Sequence, residues 1–408
     1  MRILHVITQK PFATGSGTYL SGLMAEWGRE HPQYLICGLN ADDEASFPIG
    51  TAPLSVSPVT FERGTLDFPV PGMSDVMPYR ATRYGALTKE KAQALLDAFY
   101  IQLDEAIEYF CPDVVLCHHL YLLTAGVAQR LKAHPSTKDL PVVGFCHGSE
   151  LRQLSTPRFF QDDVLTGIRA LDAVISTHSE QAEVIAQSYG VAPKRIHVLG
   201  SGFNGRIFHD LLEERPKGAF RLVYTGKIAR AKGVPELLRA CDLLAQDMEV
   251  HLTLIGGSAD PMEALEIEEA AAGKPYPVVL TGPLRQEEVA RIYRNSDLFL
   301  LPSYYEGMPL VVPEALACGL GVCVTNLPGF GAWLSPYSDR VALIPRPEMA
   351  AVDEPTPKGR EAFVRDIAEA ARTLLPKVRT LGAADLSDRT WQGLARRIET
   401  VIHGLSNS

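Results

Sequence analysis

From Asp297 to Gly319 the chain reads as strand, loop and helix, and that order fixes where its chemistry can sit. Asp297-Leu298-Phe299-Leu300-Leu301-Pro302 is a short apolar run of strand character. Pro313 has no N–H and is tolerated only in a first helical turn, so a helix is predicted to start near Leu310 and to close at Cys318-Gly319. Glu306 then stands just ahead of the helix and Glu314 within its first two turns. Such a unit aims backbone N–H groups and the positive end of a helix dipole at one point, a natural seat for a phosphate or diphosphate. Carboxylates flanking that seat cannot bind the anion; their partners are hydroxyl groups, as on a sugar and a ribose. The stretch suggests a nucleotide-sugar.

The Glu306-x7-Glu314 pair, set within Glu306-Gly307-Met308-Pro309-Leu310 and Glu314-Ala315-Leu316-Ala317-Cys318-Gly319, resembles the signature of retaining glycosyltransferases with two Rossmann-like domains, the GT-B type, and most of all glycosyltransferase family 4. The resemblance implies an α/β fold in which the two domains face each other across a cleft and the C-terminal helix crosses back to the N-terminal domain.

At 408 residues the chain is about twice the size of one domain. The expected division is an N-terminal acceptor domain over 1–203, completed by 388–408, and a C-terminal donor domain over 204–387. With 46% hydrophobic and 21% charged residues, the composition is that of a soluble globular protein with material for two cores. A formal charge of −9 argues against nucleic acid as a partner. The seven cysteines are scattered without a CxxC pair or a metal-like spacing, and read as reduced thiols of a cytoplasmic protein. Neither a signal peptide nor a transmembrane run is expected. Peripheral contact with the inner face of a membrane and the oligomeric state stay open.

In the first half, Arg2 to Thr8 is a strand, and Gln9 to Thr18 a glycine loop that precedes a helix from Tyr19 to Arg29. The loop lacks GxGxxG, since the third position after Gly17 is Leu20, so a nicotinamide site is a weak reading. By the resemblance, Gly15, Ser16 and Gly17 lie near the donor phosphates. The stretch from Asp42 to about Tyr84 is rich in proline and glycine and is expected as a long loop, shaping the acceptor side or capping the sheet edge. Thr88 to Phe110 reads as an amphipathic helix. The strand Asp113 to Cys117 ends at His118-His119, and strand ends in open α/β sheets face the ligand, which makes both histidines acceptor candidates. The next strand, Pro141 to Cys146, runs into His147-Gly148-Ser149-Glu150. This segment resembles the family's active-site histidine, so His147 is carried over as a contact of the transferring sugar, with Glu150 as an acceptor candidate.

In the second half, Phe220 to Thr225 is a strand followed by the cationic loop Gly226-Lys227-Ile228-Ala229-Arg230-Ala231-Lys232-Gly233, suited to neutralising a diphosphate. It matches the family's donor-phosphate loop, with Lys227 where arginine is usual and Lys232 at the usual lysine. A lysine keeps the charge but loses the planar fork. Strands Val250 to Ile255 and Val278 to Leu280 end in turns that the resemblance places by the base and ribose, making Gly257 and Leu284 weaker donor contacts. Residues 342–357 read as a proline-rich loop, followed by a helix from Gly359 to Leu375 and a final helix behind Trp391.

The implied reaction is transfer of a hexosyl group from a nucleoside-diphosphate sugar, UDP first, to an acceptor hydroxyl with retention of configuration. Lys227 and Lys232 would hold the diphosphate; Glu306 with Gly307, Met308, Pro309 and Leu310 the sugar and phosphate; Glu314 the ribose. No cofactor and no metal are expected, and a sugar, a lipid-linked sugar and a small molecule all stay open as the acceptor. A nucleotide-sugar epimerase or sugar phosphorylase of the same architecture, or a silent nucleotide-sugar binder, stays open.

Overall fold

The structure is a computed structural model that describes all residues except 29, 44–53, 75–76, 157, 212–216, 259, 307–308, 352, 383 and 407–408. The chain separates into two compact units, Met1–Gly202 with Trp391–Ser408, and Phe203–Thr390.

The first unit is built on a parallel sheet of β1 (Ile3–Ile7), β2 (Gln33–Asn40), β3 (Leu54–Phe61), β4 (Val114–His118), β5 (Val142–Phe145), β6 (Ala173–Ser176) and β7 (Ile196–Val198). Their order is β3-β2-β1-β4-β5-β6-β7, which reverses direction at β1. Val6 pairs with Ile36 on one side and Cys117 on the other. The second unit repeats the plan with β8 (Phe220–Thr225), β9 (Val250–Ile255), β10 (Val278–Gly282), β11 (Leu298–Leu301), β12 (Gly321–Thr325) and β13 (Val341–Ile344), ordered β10-β9-β8-β11-β12-β13. Helices cover the sheets, so the central strands β1, β4, β11 and β12 are buried at every position. That double burial is why they read as unbroken apolar runs rather than alternating ones.

The last helix, Trp391–Ser406, belongs to the first unit and packs on the helix Gly15–Trp27. Two glycines make room for the Trp391 indole. A Cβ on Gly22 would lie 2.3 Å from its Cε2, and one on Gly202 2.3 Å from its Cε3. Tyr19 meets the same indole edge-on at 5.5 Å, and Trp27 Nε1 donates to Glu399 Oε1 at 2.6 Å.

Three local expectations need correction. Gly15, Ser16 and Gly17 are the first turn of a helix rather than a loop, because the Thr14 hydroxyl caps it by accepting from the Gly17 amide. Within 42–84, part of which lies outside the described residues, β3 forms a full edge strand; Pro58 inside it hid the pattern, and an edge strand tolerates the missing donor. Within 342–357, β13 joins the sheet, and Met349–Ala351 pairs with Glu354–Pro355 as a small antiparallel ladder before a helix over Pro357–Val378.

Gly22→Ala pits two effects against each other. Alanine favours the helix by up to ~1 kcal/mol, while a methyl thrust into the indole costs about 1–3 kcal/mol. The variant is expected to unfold at lower urea concentration than wild type with an unchanged slope.

Candidate functional site

Polar groups gather in each unit where the parallel strands end. In the second unit the ends of β8 and β9 approach backbone to backbone. Gly256 has φ +134°, and a Cβ there would lie 1.9 Å from the Gly226 carbonyl oxygen. The Ile228 amide donates to Gly257 O at 3.0 Å, which ties the cationic loop to the end of β9. Gly233 closes that loop at φ +68°, 2.2 Å from Pro302 O by its ideal Cβ, so the loop is clamped to the end of β11. Only glycine satisfies both the positive φ and this contact.

The loop presents its cations unequally. Lys232 Nζ donates to Glu306 Oε1 at 2.7 Å and to Tyr305 O at 3.2 Å, with both charged groups partly shielded from water. Arg230 pairs with Glu266, and its backbone N–H donates to Glu263. Lys227 is exposed and its ammonium has no partner among the described residues; its carbonyl accepts from the Tyr224 hydroxyl at 2.6 Å. Glu314 sits on the helix Val311–Ala317, capped by Leu310, with Pro309 buried ahead of it. Its carboxyl is buried without a hydrogen-bond or ionic partner among the described residues, and burial raises its pKa to about 8. Gly257 is exposed and Leu284 packs partly against the core. Gly307 and Met308 lie outside the described residues.

In the first unit the structure brings His118, His119, His147 and Glu150 together. The Glu150 carboxylate is fully buried and accepts from the amides of His147 at 2.8 Å and Leu120 at 3.2 Å, with His119 Nδ1 at 3.2 Å from its other oxygen. Burial alone would raise its pKa; the His119 charge and hydrogen bond outweigh it and bring the value to about 2. His119 itself turns the chain at φ +69°. The acceptor candidates His118, His119 and Glu150 are buried and bonded internally. His147, next to Gly148 at φ +96°, is half-buried with the Tyr19 ring edge-on at 5.2 Å. Burial holds His147 near pKa 3, so its ring is neutral. Ser16 is buried with its hydroxyl 3.3 Å from Gln9 Oε1, and the Gly17 amide is taken by the Thr14 hydroxyl.

Sequence reasoning passed over Tyr19, which reads as one apolar residue among many on its helix. It also passed over Gly226 and Gly256, although a glycine directly after each of two strands was a usable signal. Among the described residues no three His, Cys, Asp or Glu side chains converge to hold a metal ion, and no helix is long and apolar enough to cross a membrane.

Two Rossmann-like α/β units with polar groups at the strand ends define a protein of GT-B fold. Sucrose-phosphate synthase from Thermosynechococcus elongatus superposes over 99% of this chain and 98% of its own, with TM-score 0.63 and 17% identity. HepE from Anabaena in complex with UDP does so over 99% and 100%, with TM-score 0.64 and 15% identity. Sequence profiles for Glycosyltransferase Family 4 and for Glycosyl transferases group 1 match residues 57–204 and 219–352. D-inositol 3-phosphate glycosyltransferase 1 from Catenulispora acidiphila is 30% identical over 237 residues, 53% of this chain and 56% of that protein. The chain spans about half the length of the curated relatives it matches. It belongs to the group 1/family 4 glycosyltransferases.

The buried groups make a pH prediction. His5, with Nε2 2.9 Å from Gln33 Oε1, is held near pKa 4 by burial, as His147 is near 3, whereas an unfolded histidine titrates near 6.5. Glu150 titrates near 2 when folded and 4.5 when unfolded. In all three cases the unfolded chain binds more protons in the interval, so stability falls as pH drops below ~6.5 and the loss levels off near pH 2. His5→Gln keeps a donor for Gln33 and is expected to flatten the decline between pH 6.5 and 4 in urea titrations of the first unit.

Proposed function

We propose that the protein transfers a hexosyl group from a nucleoside-diphosphate sugar, with UDP as the carrier, to an acceptor hydroxyl with retention of configuration and without a resident cofactor or metal. The observation that carries this reading is the set of Lys227, Lys232 and Glu306 at the ends of β8 and β11, with the Glu314 carboxyl, which has no partner among the described residues, on the following helix. The helix has seven residues, so its dipole is weak and the two lysines carry the anion. In UDP's favour, the Anabaena neighbour holds UDP.

On this reading Lys227 receives the diphosphate through a free ammonium. Lys232 exchanges Glu306 for a phosphate oxygen, and Glu306, so released, accepts from sugar hydroxyls with the amides around Gly307, Met308 and Leu310 alongside. Pro309 donates nothing and only shapes the turn. Glu314 takes the ribose hydroxyls, with Gly257 and Leu284 near the base, and Gly15, Ser16 and Gly17 lie by the phosphates, the Gly17 amide itself being held by the Thr14 hydroxyl. His147 hydrogen-bonds a hydroxyl of the transferring sugar. The bond from the anomeric carbon to the β-phosphate oxygen breaks, the acceptor oxygen bonds the same face, and the acceptor proton passes to the leaving oxygen. Charge built up on that oxygen is what the lysines stabilise.

Release of nucleoside diphosphate from UDP-, GDP- and ADP-sugars, with and without EDTA, tests the reading. Turnover of one donor, untouched by EDTA and lowered about 10²–10³-fold in Lys232→Ala, is expected. Absence of turnover and of binding across the panel would sink it. Acceptor trials begin with phosphorylated polyols and sugars, because the curated relatives include a D-inositol 3-phosphate glycosyltransferase and a mannosylfructose-phosphate synthase.

Glu314 adds a second test. Neutral below about pH 8 in the free protein, it must ionise to accept two ribose hydroxyls, so binding should release protons and affinity should rise with pH up to that value. Calorimetry of UDP binding at pH 7 in buffers of different ionisation enthalpy should show proton release in wild type and none in Glu314→Gln.

A further inference from the structure

His118 Nδ1 lies 3.1 Å from His147 Nε2. The ring planes differ by 11° and their centroids are 5.3 Å apart, so the imidazoles lie edge to edge in nearly one plane, the arrangement of an in-plane N–H···N hydrogen bond. His118 cannot tilt out of it, because its face is stacked on Phe145 at 4.8 Å and 9°. Both residues are set by backbone pairing. His118 and Phe145 are register partners in β4 and β5, and the His147 amide is pinned to Glu150 Oε1.

Such a bond needs one proton between the two nitrogens, and the surroundings say which ring supplies it. His118 Nε2 is sealed from solvent and has no hydrogen-bond partner among the described residues. If that nitrogen carried the proton, a buried N–H would be orphaned, which is rarer and costlier than a bare lone pair. The neighbouring His5 ring does not satisfy such an N–H, since neither His5 Nδ1 nor His118 Nε2 has a hydrogen-bond partner among the described residues. Gln33 Nε2 donates to Met24 O, which orients the amide so that its oxygen accepts from His5 Nε2–H and leaves His5 Nδ1 a bare, partnerless nitrogen as well. The proton of His118 therefore sits on Nδ1 and points at His147 Nε2.

We infer that His118 is a positioning residue whose Nδ1–H fixes the tautomer of His147, so that His147 presents Nδ1–H, a hydrogen-bond donor, to a ligand oxygen. His147 Nδ1 has no partner among the described residues, and unlike His118 Nε2 it is not sealed. Neutral rings make the assignment single-valued: burial keeps His118 well below the ordinary histidine range and His147 near 3. A donor at this place selects ligands that offer a hydroxyl or ether oxygen and disfavours one whose only group there is an N–H. The functional part of the inference rests on the transferase reading above; the tautomer does not.

Long-range ¹H–¹⁵N correlation on ¹⁵N-histidine-labelled protein reads the tautomer without any substrate. Wild type is expected to carry the His147 proton on Nδ1. In His118→Leu the His147 resonances should shift to the Nε2–H pattern or to an average of both. His118→Asn, whose amide N–H can occupy the place of Nδ1, should restore the wild-type pattern. Donor turnover should follow, falling about tenfold in the leucine variant, the worth of one hydrogen bond, with KM for the nucleotide-sugar less affected, and recovering in the asparagine variant. An Nε2–H tautomer of His147 in wild type, or an unchanged Nδ1–H tautomer in a folded His118→Leu, overturns the inference. Lack of turnover with a confirmed Nδ1–H tautomer would instead overturn the transferase reading and leave the tautomer standing.

Discussion

Burial of the parallel strands on both faces is the constraint from which the rest of each unit follows. Along β1, β4, β11 and β12 every side chain is enclosed, so polar chemistry is admitted only where the strands stop. There the chain must turn at once into a helix or loop, and the turns carry the cost. His119, Gly148, Gly226, Gly233 and Gly256 all adopt positive φ within two residues of a strand end or at the closure of the loop that follows it. Lys232, Glu306 and His147 lie beside these turns, and each is only partly buried.

Two buried glutamates show how differently a strand end can treat a charge. Glu150 is given two backbone N–H groups and a histidine, so the carboxylate is compensated inside the protein and holds the turns after β4 and β5 together. Glu314 is also buried and has no hydrogen-bond or ionic partner among the described residues, and the consequence is a carboxyl that stays protonated near neutrality. A satisfied buried charge is architecture; an unsatisfied one is a place where a ligand's hydroxyls would complete the structure. The opposite directions of the two pKa shifts follow from that difference in partners.

The sequence was legible where local rules and tertiary demands agree. Pro313 and Gly319 bracket the helix Val311–Ala317 because proline and glycine act through the backbone alone, and the apolar runs of the central strands are written by burial on both faces. β3 was not legible, since Pro58 and the half-exposed serines of an edge strand imitate a loop. The first helix began earlier than expected because a threonine cap can bring glycines into a helix that their intrinsic preference would leave out. At the candidate site the residue types could be named, but their division of labour could not. That His118 and Glu150 are enclosed while His147 keeps an open nitrogen depends on which side chains the pairing of β4 with β5 brings together, and no spacing in the chain encodes it.

The two units consequently hold their polar groups in different ways. Lys232 and Glu306 form an ion pair in which both partners retain some contact with water, so the attraction is screened and either can trade its partner for a ligand group at modest cost. The His118–His147 pair is neutral and fixed by stacking, pleat register and a backbone anchor. Its proton has one place to go, and the ring cannot rearrange to suit a different ligand. A charged, exchangeable site tolerates variation in the anion it meets, whereas a neutral donor held in one orientation discriminates by geometry. On the reading proposed above, the first behaviour would suit a diphosphate that must be both held and released, and the second a sugar whose ring must be presented in a single pose.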